Sequence, residues 1–277
     1  MIKQKGFTLV ELMIASVIGL IIMAGILNLF INTNRNITLS DALSQNQETG
    51  RFTMEFITKN TRLAGYSEDD VIGSVPGLLL PFVALTCAAD DEAEACAANN
   101  PANARGDRLA IPFVVLPGAT YRACTGTVIE PSAGDPTQVA NVFWVSNATD
   151  TNRELVCRTF DIINKVWHDD QVSIINNVEA FEFQVGIANS SSELYAASYV
   201  TVDNITDLSL IRSIRIAILT TSQNQMDENK LQTNIETRTY NLLDAQYEIT
   251  DGNLRTIFTN TIDLPNLLSN IDVSDPT

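Results

Sequence analysis

Residues 12–34 form a run of 23 positions without a charged side chain, and residues 12–27 are apolar throughout except for Ser16. A helix needs about 20 such residues to cross the hydrocarbon core of a bilayer. The run is therefore read as a membrane span and not as the buried helix of a soluble domain. Lys3 and Lys5 stand before it, and polar or acidic sequence follows. Basic residues favour the cytoplasmic side, so the body of the chain is expected across the membrane. A secretory signal would share the basic start and the apolar run, then show a small-residue cleavage site. Here Asn28-Leu29-Phe30-Ile31-Asn32-Thr33-Asn34-Arg35 follows, and the small residue, Gly6, precedes the run. Glu11 lies at the start of the apolar stretch. An acid costs about 2.5–3.5 kcal/mol at the centre of a membrane helix and less near the interface, so one retained there is a functional candidate.

The helical pattern continues beyond the span. Residues 35–63 contain no proline, and Leu39, Leu43, Gly50, Met54 and Ile57 recur at helical spacing, with Phe52, Phe56 and Leu63 widening that face. Gly50 reads as a weak point and Gly65 as a stop. One helix over residues 7–63 would be about 85 Å long at roughly 1.5 Å per residue. No single domain can bury it whole. Its first half belongs in lipid or against other chains, and its second half can offer a stripe to a sheet.

The remainder reads as strands. Phe181, Phe183, Val185 and Ile187 alternate with Glu182, Gln184 and Gly186, the pattern of a half-buried strand. Ile214, Ile216 and Ile218 do the same. Residues 78–86, 109–116, 139–146, 155–160, 238–248 and 254–262 are further candidates, with Pro81 and Pro112 pushing two of them to edges or bulges. Residues 131–136 and 190–192 read as loops. The expected architecture is α+β, an antiparallel sheet packed on the second half of a long helix.

The chemistry of the chain is sparse. The formal charge is −16, which excludes a broad basic surface for nucleic acid. Arg105, Arg108 and Arg122 are the one local hint of such a surface. His168 is the only histidine, there is no C-x-x-C, and no P-loop, G-x-S-x-G or G-x-G-x-x-G occurs. No catalytic residue, metal site or cofactor is therefore expected. The acidic run Asp90-Asp91-Glu92 with Glu94 lacks the spacing of a calcium loop and reads as solvated. The four cysteines, Cys87, Cys96, Cys124 and Cys157, allow three connectivities and suit an oxidising compartment.

Lys5-Gly6-Phe7-Thr8-Leu9-Val10-Glu11 resembles the prepilin signal of type IV pilins and secretion pseudopilins. The resemblance implies cleavage between Gly6 and Phe7 by a prepilin peptidase, N-methylation of Phe7, and a role for Glu11 opposite the N-terminal amine of a neighbouring subunit. Loss of residues 1–6 takes Lys3 and Lys5 with it and moves the side-chain charge from −16 to −18. Gln47-Glu48-Thr49-Gly50-Arg51-Phe52 and Arg62-Leu63-Ala64-Gly65-Tyr66 narrow the resemblance to the PilW family of minor pilins. Gly106-Asp107-Arg108-Leu109, Cys124-Thr125-Gly126, Leu155-Val156-Cys157-Arg158, residues 177–183, 214–219 and 255–266 agree in order. Ser67 stands where the family commonly has a cysteine. On this footing Cys124–Cys157 is the favoured bridge between neighbouring strands, and Cys87–Cys96 is favoured as closing the acidic loop.

The implied organisation is a leader (1–6), a membrane and assembly half-helix (7–34), an amphipathic half-helix (35–65) and a periplasmic β-rich head (66–277). The implied role is a minor pilin that initiates type IV pilus assembly near the tip and supports adhesion and twitching motility. Its partners would be other minor pilins, the major pilin, the prepilin peptidase, the inner-membrane assembly platform and a PilY-type tip adhesin. It would sit in the inner membrane with its N-terminus cytoplasmic, then in the surface pilus. The alternatives are a J-type pseudopilin of type II secretion, and a periplasmic binding module on an uncleaved anchor.

Overall fold

A computed structural model describes residues 8–66, 97–99, 105–131, 136–146, 153–222 and 236–268. The expected strand at residues 78–86 and the acidic loop lie outside them. Helix α1 (Leu9–Thr61) runs 53 residues unbroken, about 80 Å at 1.5 Å per residue. It ends where read: Arg62 caps it, a turn follows, and Gly65 takes φ +70°, a conformation that costs glycine nothing. The side chain of Asn266 donates to the carbonyls of Arg62 (2.8 Å) and Ala64 (3.2 Å), which satisfies two groups left over at the helix end.

Thirteen strands follow among the described residues. They are β1 (Leu109–Val115), β2 (Tyr121–Arg122), β3 (Val128–Ile129), β4 (Thr137–Val145), β5 (Glu154–Asp161), β6 (Val166–Trp167) and β7 (Val172–Asn176), then β8 (Val178–Ile187), β9 (Ser198–Val200), β10 (Ile211–Thr221), β11 (Glu236–Leu242), β12 (Ala245–Asp251) and β13 (Arg255–Asp263). A short helix, α2 (Pro265–Leu268), closes the described chain. One sheet orders β1-β4-β5-β6, with β7 also on β5; a second orders β13-β10-β8-β9; two hairpins, β2-β3 and β11-β12, complete the head. Every named strand pairing is antiparallel. The architecture is the expected α+β one.

Pro112 does lie on an edge strand. The outer side of β1 meets the chain after the helix: Gly65 N–H donates to Pro112 O and Val114 N–H to Tyr66 O, both at 3.1 Å. The N–H that proline lacks is not missed there.

The main core joins the helix to both sheets. Ile57 packs with Leu109, Ile111, Phe143, Leu155, Phe181, Phe183, Ile214, Ile216 and Ile218, all essentially inaccessible. Complete burial of such a side chain contributes roughly 1.5–3 kcal/mol, so this cluster is the main reason the head folds on the helix.

Three readings of the sequence need correction. The face of α1 toward the head is Ala42, Asn46, Gly50, Thr53, Ile57 and Asn60; Leu39, Leu43 and Phe52 are exposed. The head covers α1 only from Ala42 onward, and it approaches closely enough to prefer small and polar residues. Residues 238–248 are not one strand but the hairpin β11-β12, turning at Leu243 (φ +49°) and Asp244. The third correction concerns Glu182, which alternation places outward but which is 1% exposed. The hairpin lays Tyr240, Leu242, Tyr247 and Ile249 over the second face of the β8-β10 sheet, against Ala180, Ala217 and Leu219. That sheet is therefore buried on both faces.

Candidate functional site

The start of α1 is built by its own first turn. Thr8 is the N-cap and Glu11 the third helical residue. Glu11 N–H donates to Thr8 Oγ1 (3.3 Å), and Thr8 N–H and Oγ1–H donate to Glu11 Oε2 (3.0 and 3.1 Å). This reciprocal capping satisfies two otherwise open helix donors and sets a carboxylate at the positive end of the helix dipole. Thr8 escaped the reading of the sequence, although T-x-x-E before an apolar run is its signature. Gly6 and Phe7, the expected cleavage and methylation residues, lie outside the described residues.

Above the cap the helix is bare. None of its apolar stretch is buried by the head. Leu12, Ile18, Leu20, Ile21, Leu29 and Phe30 are each more than half exposed. So large an apolar surface demands lipid or other apolar helices.

Where the head begins, the seam is close and partly polar. Gly50 lies against the ring of Phe258, and a Cβ at this position would fall within that ring. The glycine read as a weak point is thus the place where the Phe258 side chain of β13 rests directly on the helix. Asn46 Nδ2 donates to Leu254 O (3.0 Å) at the lower end of the seam. At the upper end Asn141 Nδ2 donates to Asn60 Oδ1 (3.1 Å) and Tyr121 OH (3.1 Å), while Thr159 Oγ1 donates to Asn141 Oδ1 (2.9 Å). Burial raises the Tyr121 pKa. Cys124 and Cys157 are joined by a disulfide, Cα atoms 6.2 Å apart, which ties the β2-β3 hairpin segment to β5 beside Thr159. Cys87 and Cys96 lie outside the described residues.

Two buried charged clusters hold the hairpin to the head. Arg255 donates to both oxygens of Glu179 (2.6 and 2.8 Å) and to Asp251 Oδ2 (2.7 Å). Burial alone would lower its pKa, but the hydrogen bonds to Asp251 and Glu179 outweigh that and raise it. The same contact lowers the pKa of Asp251. In the other cluster Glu182 accepts a hydrogen bond from Tyr247 OH, and Asp107, 2% exposed, lies beside it. Desolvation, then the nearby Asp107 carboxylate, push Glu182 up to about 9. Glu182 therefore stays protonated at neutral pH. Asp107 also accepts from Phe183 N–H (2.9 Å).

The arginines singled out for nucleic acid do not make one surface. Arg105 is half-buried with its guanidinium 5.3 Å from the Tyr247 ring; Arg108 is 4% exposed over Trp144 and Trp167. Arg122 alone is exposed, donating to Gly126 O (2.7 Å). His168 Nε2 lies 3.9 Å from Asp161 Oδ2. Among the described residues no three His, Cys, Asp or Glu side chains are grouped to hold a metal ion.

A capped, uncovered apolar helix whose second half carries an antiparallel β head defines a pilin-like subunit, anchored in the membrane by a single N-terminal helix. The prokaryotic N-terminal methylation motif matches residues 1–27, and the family described as Type IV Pilus-assembly protein W matches residues 142–266, from β4 into α2. Together they match a PilW-family type IV minor pilin, so the chain has a pilin-like role in pilus assembly, with other pilus components and the prepilin peptidase as its partners. No curated protein and no solved structure matches the chain.

Proposed function

We propose that this chain is a minor pilin that initiates type IV pilus assembly and sits near the pilus tip, where it supports adhesion and twitching motility. The peptidase removes residues 1–6 after Gly6, and Phe7 becomes the methylated N-terminus. Residues 7–34 then serve first as anchor and later as packing surface, residues 35–65 carry the head, and the head (66–277) faces the periplasm until the subunit enters the fibre. Its neighbours are other minor pilins, the major pilin, the assembly platform and a PilY-type tip adhesin.

The observation that carries the reading is the bare lower half of α1. A helix with no head contact over its apolar part is suited to leave lipid and enter a bundle of like helices without unfolding anything else. Glu11 has a part in that transfer. A carboxylate held at the helix start meets the N-terminal amine of the neighbouring subunit; opposite charges attract more strongly in an apolar bundle than in water, and leaving either one there without its partner is costly.

Two measurements test this. Intact-mass analysis of the protein from cells with the peptidase should show loss of Met1 through Gly6 and one added methyl group. Glu11→Ala should insert and be cleaved normally but be depleted from sheared pili by roughly tenfold, equivalent to a coupling of about 1.4 kcal/mol. A mature chain still starting at Met1, or undiminished Glu11→Ala in the fibres, would overturn the respective step.

A further inference from the structure

The β13-β10-β8-β9 sheet, at its end away from the apolar segment, carries an aromatic side chain on a braced loop. Direction follows from α1. Asn46 meets Leu254, Thr58 meets Asn260 and Arg62 meets Asn266, so β13 rises alongside the helix. β10 is antiparallel to β13 and β8 antiparallel to β10, which brings Ile187 level with Ile211 and Ser213 level with Asp263. The loop after β8, residues 189–197, therefore stands at the end of this sheet away from the apolar segment. Tyr195 within it is 83% exposed, more than any other large hydrophobic side chain among the described residues.

A single exposed aromatic needs no explanation; the support beneath this one does. Arg212 is 2% exposed. Its Nε donates to Glu193 O (2.6 Å), Nη1 to Ser209 O (2.7 Å) and Ile211 O (2.9 Å), and Nη2 to Ser191 O (3.0 Å) and Ser190 O (3.4 Å). All five bonds end on carbonyls. Burying a cation is costly, and what this one secures is the shape of the loop. Asn189 N–H donating to Glu193 Oε2 (2.9 Å) and Glu193 N–H to Ser190 O (3.3 Å) tighten it further. The loop, Asn189-Ser190-Ser191-Ser192-Glu193-Leu194-Tyr195, combines tyrosine with serine and asparagine. That mixture serves protein recognition elsewhere because tyrosine supplies a rigid anchor and the small polar residues supply adaptable hydrogen bonds.

We propose that residues 189–197 form a protein-docking surface anchored by Tyr195. Its occupant is a different protein of the same fibre, one that offers an apolar pocket with a basic rim. Charge selects this occupant. Glu193 and Asp207 are exposed beside Tyr195 and the supporting Ser209, and the chain carries −16 overall, so a second copy would meet like charge. The inference rests on the assembly reading above and adds the surface and residue through which the subunit holds what lies beyond it.

The test uses the full-length protein in detergent micelles, titrated with each of the other pilins and the tip adhesin of the same pilus, also full length. One of them is expected to bind. Tyr195→Ala should weaken that complex about tenfold or more, the usual range for a central anchor; Tyr195→Phe should keep most of the affinity; Arg212→Lys, which loses the fork of donors, should weaken it with Tyr195 intact. Unchanged binding by Tyr195→Ala overturns the proposal, as does a wild-type chain that binds none of these proteins or instead self-associates through Tyr195. Sheared fibres separate the two readings. A wild-type chain missing from them overturns the assembly reading, whereas a chain present in them whose binding ignores Tyr195 overturns the docking surface alone.

Discussion

Glu182 shows what a single residue can hide. It stands between Phe181 and Phe183 on β8, at a position that alternation assigns to solvent, and Tyr247 closes over it. Its pKa is raised to about 9 by burial and by Asp107, against an ordinary 4.5 in the unfolded chain. Between those values unfolding releases a proton. The stability this acid contributes is therefore complete below about pH 4.5 and is lost as pH rises toward 9, at up to about 1.4 kcal/mol per pH unit. The melting temperature of the wild-type protein should fall from pH 5 to pH 9, and Glu182→Gln should flatten that fall. An unchanged slope in the variant would remove Glu182 from the account. The contrast with Glu11 is instructive. Glu11 stood out because its neighbours in sequence are apolar, whereas the neighbours that matter for Glu182 arrive from residues 107 and 247.

At the scale of elements, the seam between α1 and β13 decides how the head is carried. Gly50→Ala gains up to about 1 kcal/mol of helix propensity but drives a methyl into the Phe258 ring. Overpacking of this kind costs typically 1–3 kcal/mol, so the net effect should be destabilising. Pairing it with Phe258→Ala should recover part of the loss in a double-mutant cycle read by urea denaturation; strictly additive effects would mean that the two groups do not meet. The long helix and six of the thirteen described strands, β1, β4, β5, β8, β10 and β13, were legible because hydrophobic period is a local property. Strands β1, β4, β5 and β13 fall within two residues of where the alternation put them. The hairpin β11-β12 was not legible, since its turn at Leu243-Asp244 has neither glycine nor proline to mark it; the one trace it leaves is a shift of phase, from Tyr240 and Leu242 in one arm to Tyr247 and Ile249 in the other. The stripe on α1 held at Gly50 and Ile57, with Met54 and Phe56 packed beside them, and failed at Leu39, Leu43 and Phe52, where the head instead takes the small and polar Ala42, Asn46 and Thr53.

At the scale of the whole molecule, the chain divides by solvent. Residues 12–34 are uncharged and bare, while residues 42–61 include the face that the head covers. Between them residues 35–41 are almost entirely exposed and too polar for lipid. In micelles this short stretch should exchange its amide hydrogens faster than either flank, because neither detergent nor the head protects it. Uniform protection along α1 would show that the lower head or the micelle reaches further than the packing indicates. Such a joint suits a subunit that must keep its head folded while its anchor changes from lipid to protein surroundings.

The sequence by itself determined the membrane helix, the acid at its start and the α+β class. Each rests on side-chain chemistry read at fixed short spacing, which needs no knowledge of distant partners. Only the tertiary structure decided that Gly50 is a seam, that Glu182 is buried and protonated, that Arg108 is spent against tryptophans, and that Arg212 braces the loop of Tyr195. Those facts depend on which strands become neighbours, and antiparallel pairing brings together residues far apart in the chain, whose meeting leaves no periodic trace along it.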